Sequence, residues 1–149
     1  SEAHRDFWLA YRDIVDQTAK AHSNVVSLKA NFALSQVVPM MSAFEADMKE
    51  AVLDGALFCR AGNGVLSAVF PLGDNPGAKT TVAAAMIGKM TAEAVKNGGN
   101  LIVERAPRML KEKINVWGQM RSDVVVIRRL KEKLDPAGVL NPGRYVGGV

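Results

Sequence analysis

Hydrophobic and polar positions recur along this chain with two different periods, and the switches between them mark out its elements. Residues 4–21 place Phe7, Trp8, Tyr11, Ile14 and Val15 at helical spacing, with Arg5, Asp6, Arg12, Asp13 and Asp16 elsewhere on the wheel. From 25 to 35 the period becomes two. Val26, Leu28, Ala30, Phe32 and Leu34 point one way and Ser27, Lys29, Asn31 and Ser35 the other, as in a half-buried strand. A helix is predicted to begin near Pro39, a residue tolerated in a first turn, to bury Met41, Phe44, Met48 and Val52, and to stop at Gly55. Two strands, 56–61 and 65–70, flank Gly62-Asn63-Gly64, residues whose tolerance of positive φ suits a hairpin turn. Residues 71–76 form a connector. A second helix over 77–97 turns Ala83, Met86, Ile87, Met90 and Ala94 inward and is closed by Gly98-Gly99; a fourth strand covers 101–105, ahead of Pro107.

The order β-α-β-β-α-β predicts an α+β fold of the ferredoxin-like kind, a four-stranded antiparallel sheet with both helices on one face. The other face then carries Lys29, Asn31, Arg60 and Ser67, a polar and somewhat cationic surface. The chain divides into an N-terminal connecting helix (1–24), the ferredoxin-like domain (25–106) and C-terminal helices with a tail (107–149). That last part holds a short helix over 108–113, a Val116-Trp117-Gly118 link, and a helix with Ile127, Leu130 and Leu134 on one side. Arg128, Arg129, Lys131 and Lys133 read as its solvated face, and cations in a last turn suit the helix dipole. The helix stops at Asp135-Pro136, because proline lacks an N–H and disfavours the α region for the residue before it. Gly138 supplies a tight position beyond the stop, and Asn141-Pro142-Gly143 a second rigid turn presenting Arg144 and Tyr145.

Composition narrows the function classes. A chain of 149 residues is one domain, or one domain with appendages, able to bury roughly 70% of its unfolded surface. The net charge of +4 comes without a basic run interleaved with stacking aromatics, which argues against nucleic-acid binding. A lone Cys59 excludes an intrachain disulfide and favours a reducing compartment. No apolar run is long enough for a membrane span and no signal peptide opens the chain, so a cytoplasmic location is expected. Gly62-Asn63-Gly64 is not a phosphate loop, since neither a helix nor Gly-Lys-Ser/Thr follows it. His4 and His22 are isolated and read as solvated or structural, Trp8 and Tyr11 as core or interface aromatics, and the methionines as gap-filling core.

The tail carries a resemblance. Leu130-Lys131, Asp135-Pro136, Gly138, Leu140 and Asn141-Pro142-Gly143-Arg144 match the pattern that ends FAD-linked oxidases of the vanillyl-alcohol-oxidase fold, a group that includes glycolate oxidase subunits and D-lactate dehydrogenases. The resemblance implies that the βαββαβ domain is a cap over the flavin and that the tail folds back close to the cofactor. It makes Asn141, Gly143 and Arg144 the cofactor-side residues, with Gly143 permitting close backbone approach and Arg144 a permanent cation for anionic flavin groups.

Catalytic members of that family carry His-x-Gly-Asp-Gly-Asn-x-His at the hairpin and Glu-His-Gly after the fourth strand, both associated with metal and substrate carboxylate. The corresponding segments here are Arg60-Ala61-Gly62-Asn63-Gly64-Val65-Leu66-Ser67 and Glu104-Arg105-Ala106. Three imidazole positions thus hold Arg60, Ser67 and Arg105. Arginine neither ligates a metal nor takes a proton near neutral pH. No metal is therefore expected and no catalytic residue is assigned; Arg60 and Arg105 become candidates for a substrate carboxylate, and Glu104 for a salt bridge to a neighbouring arginine. The chain is most similar to the companion FAD-binding subunit of glycolate oxidase. The resemblance implies FAD in the full-length protein but not in this chain alone, whose flavin-binding domain is expected to lie N-terminal to it. It implies a 2-hydroxy acid as substrate, with a catalytic flavin subunit and an iron–sulfur subunit as partners, and through them peripheral attachment to the inner membrane. Surfaces meant for the flavin domain would let the chain self-associate. The alternative is a stand-alone ferredoxin-like ligand-binding or assembly module without catalysis, which has no need of a second rigid turn ending in arginine.

Overall fold

The strand with the cleanest alternation is at the middle of the sheet. In the computed structural model, which describes residues 2–148 apart from 121 and 123, β1 (Val25–Asn31) lies between β3 (Val65–Pro71) and β4 (Asn100–Arg105). β2 (Ala56–Arg60) pairs with the far side of β3, and every pairing is antiparallel. With α2 (Val37–Glu50) and α3 (Gly77–Lys96) as the crossovers, the order β2-β3-β1-β4 is the ferredoxin-like arrangement. Leu28, Ala30, Leu66, Ala68, Phe70, Leu101 and Val103 face Met40, Phe44 and Met48 of α2 and Ala83, Met86, Ile87, Met90 and Ala94 of α3. Phe44 meets Phe32 edge to face at 6.0 Å. Two ion pairs from one lysine join the helices: Lys89 reaches buried Asp47 at 2.7 Å and Glu50 at 2.8 Å, and these bonds hold its ammonium above the ordinary lysine value.

Several boundaries differ from the sequence expectation. β1 ends at Asn31 rather than 35, because its partner β3 begins at Val65 and leaves no ladder beyond the bond from Phe32 N–H to the Gly64 carbonyl (2.8 Å). The chain instead makes a 3₁₀ turn, Leu34–Gln36, which leaves Leu34 exposed, and α2 starts at Val37 rather than Pro39. Val52 is not on a buried helix face; it is 82% exposed, beyond the helix end, with φ of 52°. Leu53 N–H bonds the Met48 carbonyl and Val52 N–H the Lys49 carbonyl, both at 3.1 Å, a Schellman cap built on valine. Gly55 therefore does not stop the helix. It is needed for close packing, since a Cβ there would stand 2.4 Å from the Val69 carbonyl oxygen.

The second face of the sheet is not open. α1 (Glu2–Ala21) crosses it, so the connecting helix is part of the packed unit. Tyr11 meets Phe58 of β2 edge to face at 5.4 Å, and Arg105 of β4 donates to Asp16 at 3.2 Å. Ser27 and Val69, which share that face by register, are buried. α4 (Arg108–Lys111) follows β4, and the link after it covers the β4 edge: Val103 N–H bonds the Val116 carbonyl at 2.7 Å, and Asn100 bonds the Trp117 carbonyl. α5 (Val124–Leu134) then carries no buried residue and leads into the tail. Among the described residues no helix is long and apolar enough to cross a membrane.

Candidate functional site

Two sets of side chains stand apart from the core. The first lines a cleft of about 350 Å³ between α1 and the sheet, walled by Trp8, Tyr11, Ile14 and Val15 and floored by Lys29, Phe58, Arg60, Ser67 and Glu104. Register explains the floor: Lys29 lies opposite Ser67, and Ser67 opposite Phe58, so the outward residues of three strands fall in one row. Lys29 pairs with Glu104 at 3.4 Å, so the partner of that glutamate is a lysine and not the expected arginine. The guanidinium of Arg60 lies 5.9 Å from the centre of the Tyr11 ring. Among the described residues it has no carboxylate partner. The cleft thus offers a free cation, a hydroxyl and aromatic walls, a set able to seat a small carboxylate.

The second set organises the tail. Asp135 is buried where the helix ends, and its two oxygens accept the backbone N–H groups of Val139 and Leu140, each at 2.9 Å. Lys131, one turn earlier, reaches Asp135 at 2.6 Å and also donates to the Leu140 carbonyl. The Lys131 bond, and then the N–H groups of Leu140 and Val139, hold the Asp135 carboxyl below the ordinary carboxylate value against the opposing effect of burial. Lys131 is therefore not part of a solvated run: its side chain is only 15% exposed. The left-handed turn needs are met by Gly138 (φ 63°), Asn141 (φ 47°) and Gly143 (φ 69°), and Arg144 N–H closes the second turn on the Asn141 carbonyl at 3.1 Å.

Residues 1–145 match the family described as FAD linked oxidases, C-terminal domain. The chain belongs to that family. No curated protein matches it closely enough to be counted a relative. As a C-terminal domain of an FAD-linked oxidase, the chain has the context of a flavoprotein oxidoreductase.

For such a domain the fit to FAD is one-sided. Apart from its two chain neighbours, no described residue stands within 4 Å of the place a Cβ on Gly143 would take, so close approach there is open to a group from outside. Arg144 is exposed, and among the described residues its guanidinium has no carboxylate partner. Asn141 and Tyr145 line a shallow apolar groove with Leu130, Leu134 and Leu140. An exposed guanidinium beside an uncrowded turn is a donor set compatible with an anionic group presented from outside the chain. The structure separates the two arginines named from sequence: Arg60 lies in the cleft, whereas Arg105 is tied to Asp16 and does not line it. Among the described residues no three His, Cys, Asp or Glu side chains converge. Sequence reasoning missed Lys131 and Asp135 as a unit. The signal was present in their i, i+4 spacing and in an aspartate just before a turn, where its side chain accepts backbone N–H groups.

Proposed function

We propose that this chain is the cap and tail of a companion subunit in an FAD-dependent 2-hydroxy-acid oxidoreductase of the glycolate oxidase type. The observation that carries it is Arg60, a guanidinium without a carboxylate partner among the described residues, in a cleft sized for a small acid. With Ser67, it falls at positions that the resemblance matches to imidazoles of the family's catalytic motif. Arg60 would hold the substrate carboxylate through paired charge-assisted bonds, and Tyr11 would keep the guanidinium oriented and partly dry. Arg144, with Asn141 and Gly143 shaping its turn, would hold an anionic oxygen of the cofactor. The chemistry FAD supplies when bound is acceptance of the substrate hydride. With no side chain at these positions suited to take the hydroxyl proton, that step belongs to a homologous flavin subunit, and the electrons pass on to an iron–sulfur subunit.

The test uses the full-length subunit, loaded with flavin and purified apart from its partners. Glycolate binding, followed through flavin absorbance, should weaken about ten- to hundredfold in Arg60→Gln, the loss of a charged hydrogen-bonding partner. Arg105→Gln should change it far less. Equal affinity in wild type and Arg60→Gln removes the carboxylate role. Stoichiometric zinc or manganese, or turnover by the isolated subunit at the rate of the complex, removes the companion role.

A further inference from the structure

The two edges of the sheet are treated differently. The β4 edge is covered by the link through Val116 and Trp117, but no described residue bonds the outer side of β2. The outward groups of β2 follow from register. Leu72 N–H bonds the Asn24 carbonyl at 3.1 Å and Phe32 N–H the Gly64 carbonyl at 2.8 Å. These bonds bracket Val25–Pro71 and Asn31–Val65, which makes both pairs the non-hydrogen-bonded kind. By alternation, Val65, Ser67 and Val69 turn their amides and carbonyls toward β2, where they meet Arg60, Phe58 and Ala56. Leu57 and Cys59 therefore turn theirs outward. The strand Ala-Leu-Phe-Cys-Arg has no proline, no bulge and no lysine, the devices that protect a bare edge.

Two further features converge on this edge. Asp54, just before the strand, and Arg60, at its end, are both exposed and without an ionic partner among the described residues. α1 packs Tyr11 on β2 and reaches β4 with Asp16, so it runs from the β2 side toward β4 and its first turns lie on the β2 side. Those turns hold Phe7 and Trp8, exposed by 60% and 49%.

We infer that two copies of this chain pair edge to edge through β2, antiparallel about a two-fold axis at Phe58, joining two four-stranded sheets into one. In that register the outward Leu57 of one copy faces the outward Cys59 of the other, and the two-fold repeats the pair. Phe58 meets its own mate. Arg60 lies opposite Ala56 of the second copy and diagonal to its Asp54, within reach of a long side chain. The opposite charges at the two strand ends make the edge complementary to itself and to no parallel copy. Phe7, on the turns of α1 before Tyr11, then lies toward the neighbouring sheet. A guanidinium carries five donors, so Arg60 can hold Asp54 of the second copy and still present an edge to the cleft. The dimer thus gives Arg60 the carboxylate partner it lacks within one chain, and its evidence, the register and charge of β2, does not draw on the flavin reading.

Sedimentation velocity on the 149-residue chain should show a monomer–dimer equilibrium in the micromolar range. Asp54→Arg places like charges at both ends and should weaken it at least about tenfold. The double variant Asp54→Arg with Arg60→Asp restores opposite charges and should recover most of that loss. Backbone amides of Leu57 and Cys59 should be protected from hydrogen exchange in concentrated samples and lose protection on dilution, while the Leu28 amide stays protected throughout. A chain monomeric across the range overturns the inference. So does a dimer whose Leu57 and Cys59 amides exchange freely, or a charge-swapped double variant no tighter than Asp54→Arg alone.

Discussion

Lys131 and Asp135 face each other at 2.6 Å one helical turn apart, and together they tie the end of α5 to the turn that follows it. The aspartate holds two backbone N–H groups and the lysine holds the Leu140 carbonyl, so three backbone groups of the tail are fixed by one ion pair. Asp135→Ala removes that hub. The amides of Val139 and Leu140 should then exchange at least about tenfold faster, the equivalent of one lost hydrogen bond to a charged group. The Phe70 amide should be unchanged. Exchange followed by mass spectrometry or NMR checks both, and unchanged tail amides would deny the hub its role.

The same carboxylate makes tail order depend on pH. Its folded-state value lies below the unfolded one, so the stabilisation is fully present above the ordinary aspartate range. It is lost as pH falls through the depressed folded value. The tail should therefore loosen in acid, below the ordinary carboxylate range. Tyr145 fluorescence polarisation across an acid titration, with Asp135→Asn as the reference, is the measurement; a transition near neutrality would contradict it.

Val52 caps α2 in a left-handed conformation that β-branched residues rarely adopt. Val52→Gly keeps the two Schellman bonds and removes the strain, at some entropic cost. A net stabilisation of about 0.5–1 kcal/mol is expected, which corresponds to a rise in Tm of about 2 °C for a chain of this size. Thermal unfolding checks it. A fall in Tm would mean that the exposed valine makes contacts that outweigh its backbone strain.

Arg144 is held out from the tail by a closed turn. In the full-length protein, Arg144→Ala should weaken FAD retention about ten- to hundredfold, as expected for loss of a charged, bidentate donor. Flavin content after dialysis gives the readout. Unchanged retention would leave the tail a structural clasp.

Local periodicity was enough to name the four strands, the two crossover helices and the inward residues of β1 and α3, because side chains at intervals of two or three to four must share a face whatever lies opposite. It did not name the inward residues of β3 and β4, such as Leu66, Phe70 and Leu101, or Met40 of α2. Phe44, Met48, Ala83, Met86, Ile87, Met90 and Ala94 were legible for that reason. So was the tail, where Asp135-Pro136, Gly138 and Asn141-Pro142-Gly143 restrict the backbone residue by residue. Periodicity has no view of what packs against a face. Only the tertiary structure laid α1 over the sheet, converting an apparently free surface into a cleft, giving Glu104 to Lys29 and Arg105 to Asp16, and leaving Arg60 over Tyr11. It likewise ended β1 where β3 ran out and turned Val52 to solvent, since strand length and cap geometry depend on a partner's hydrogen bonds. The same dependence took Lys131 out of a solvated run: its burial follows from the turn that brings Leu140 back over the helix end.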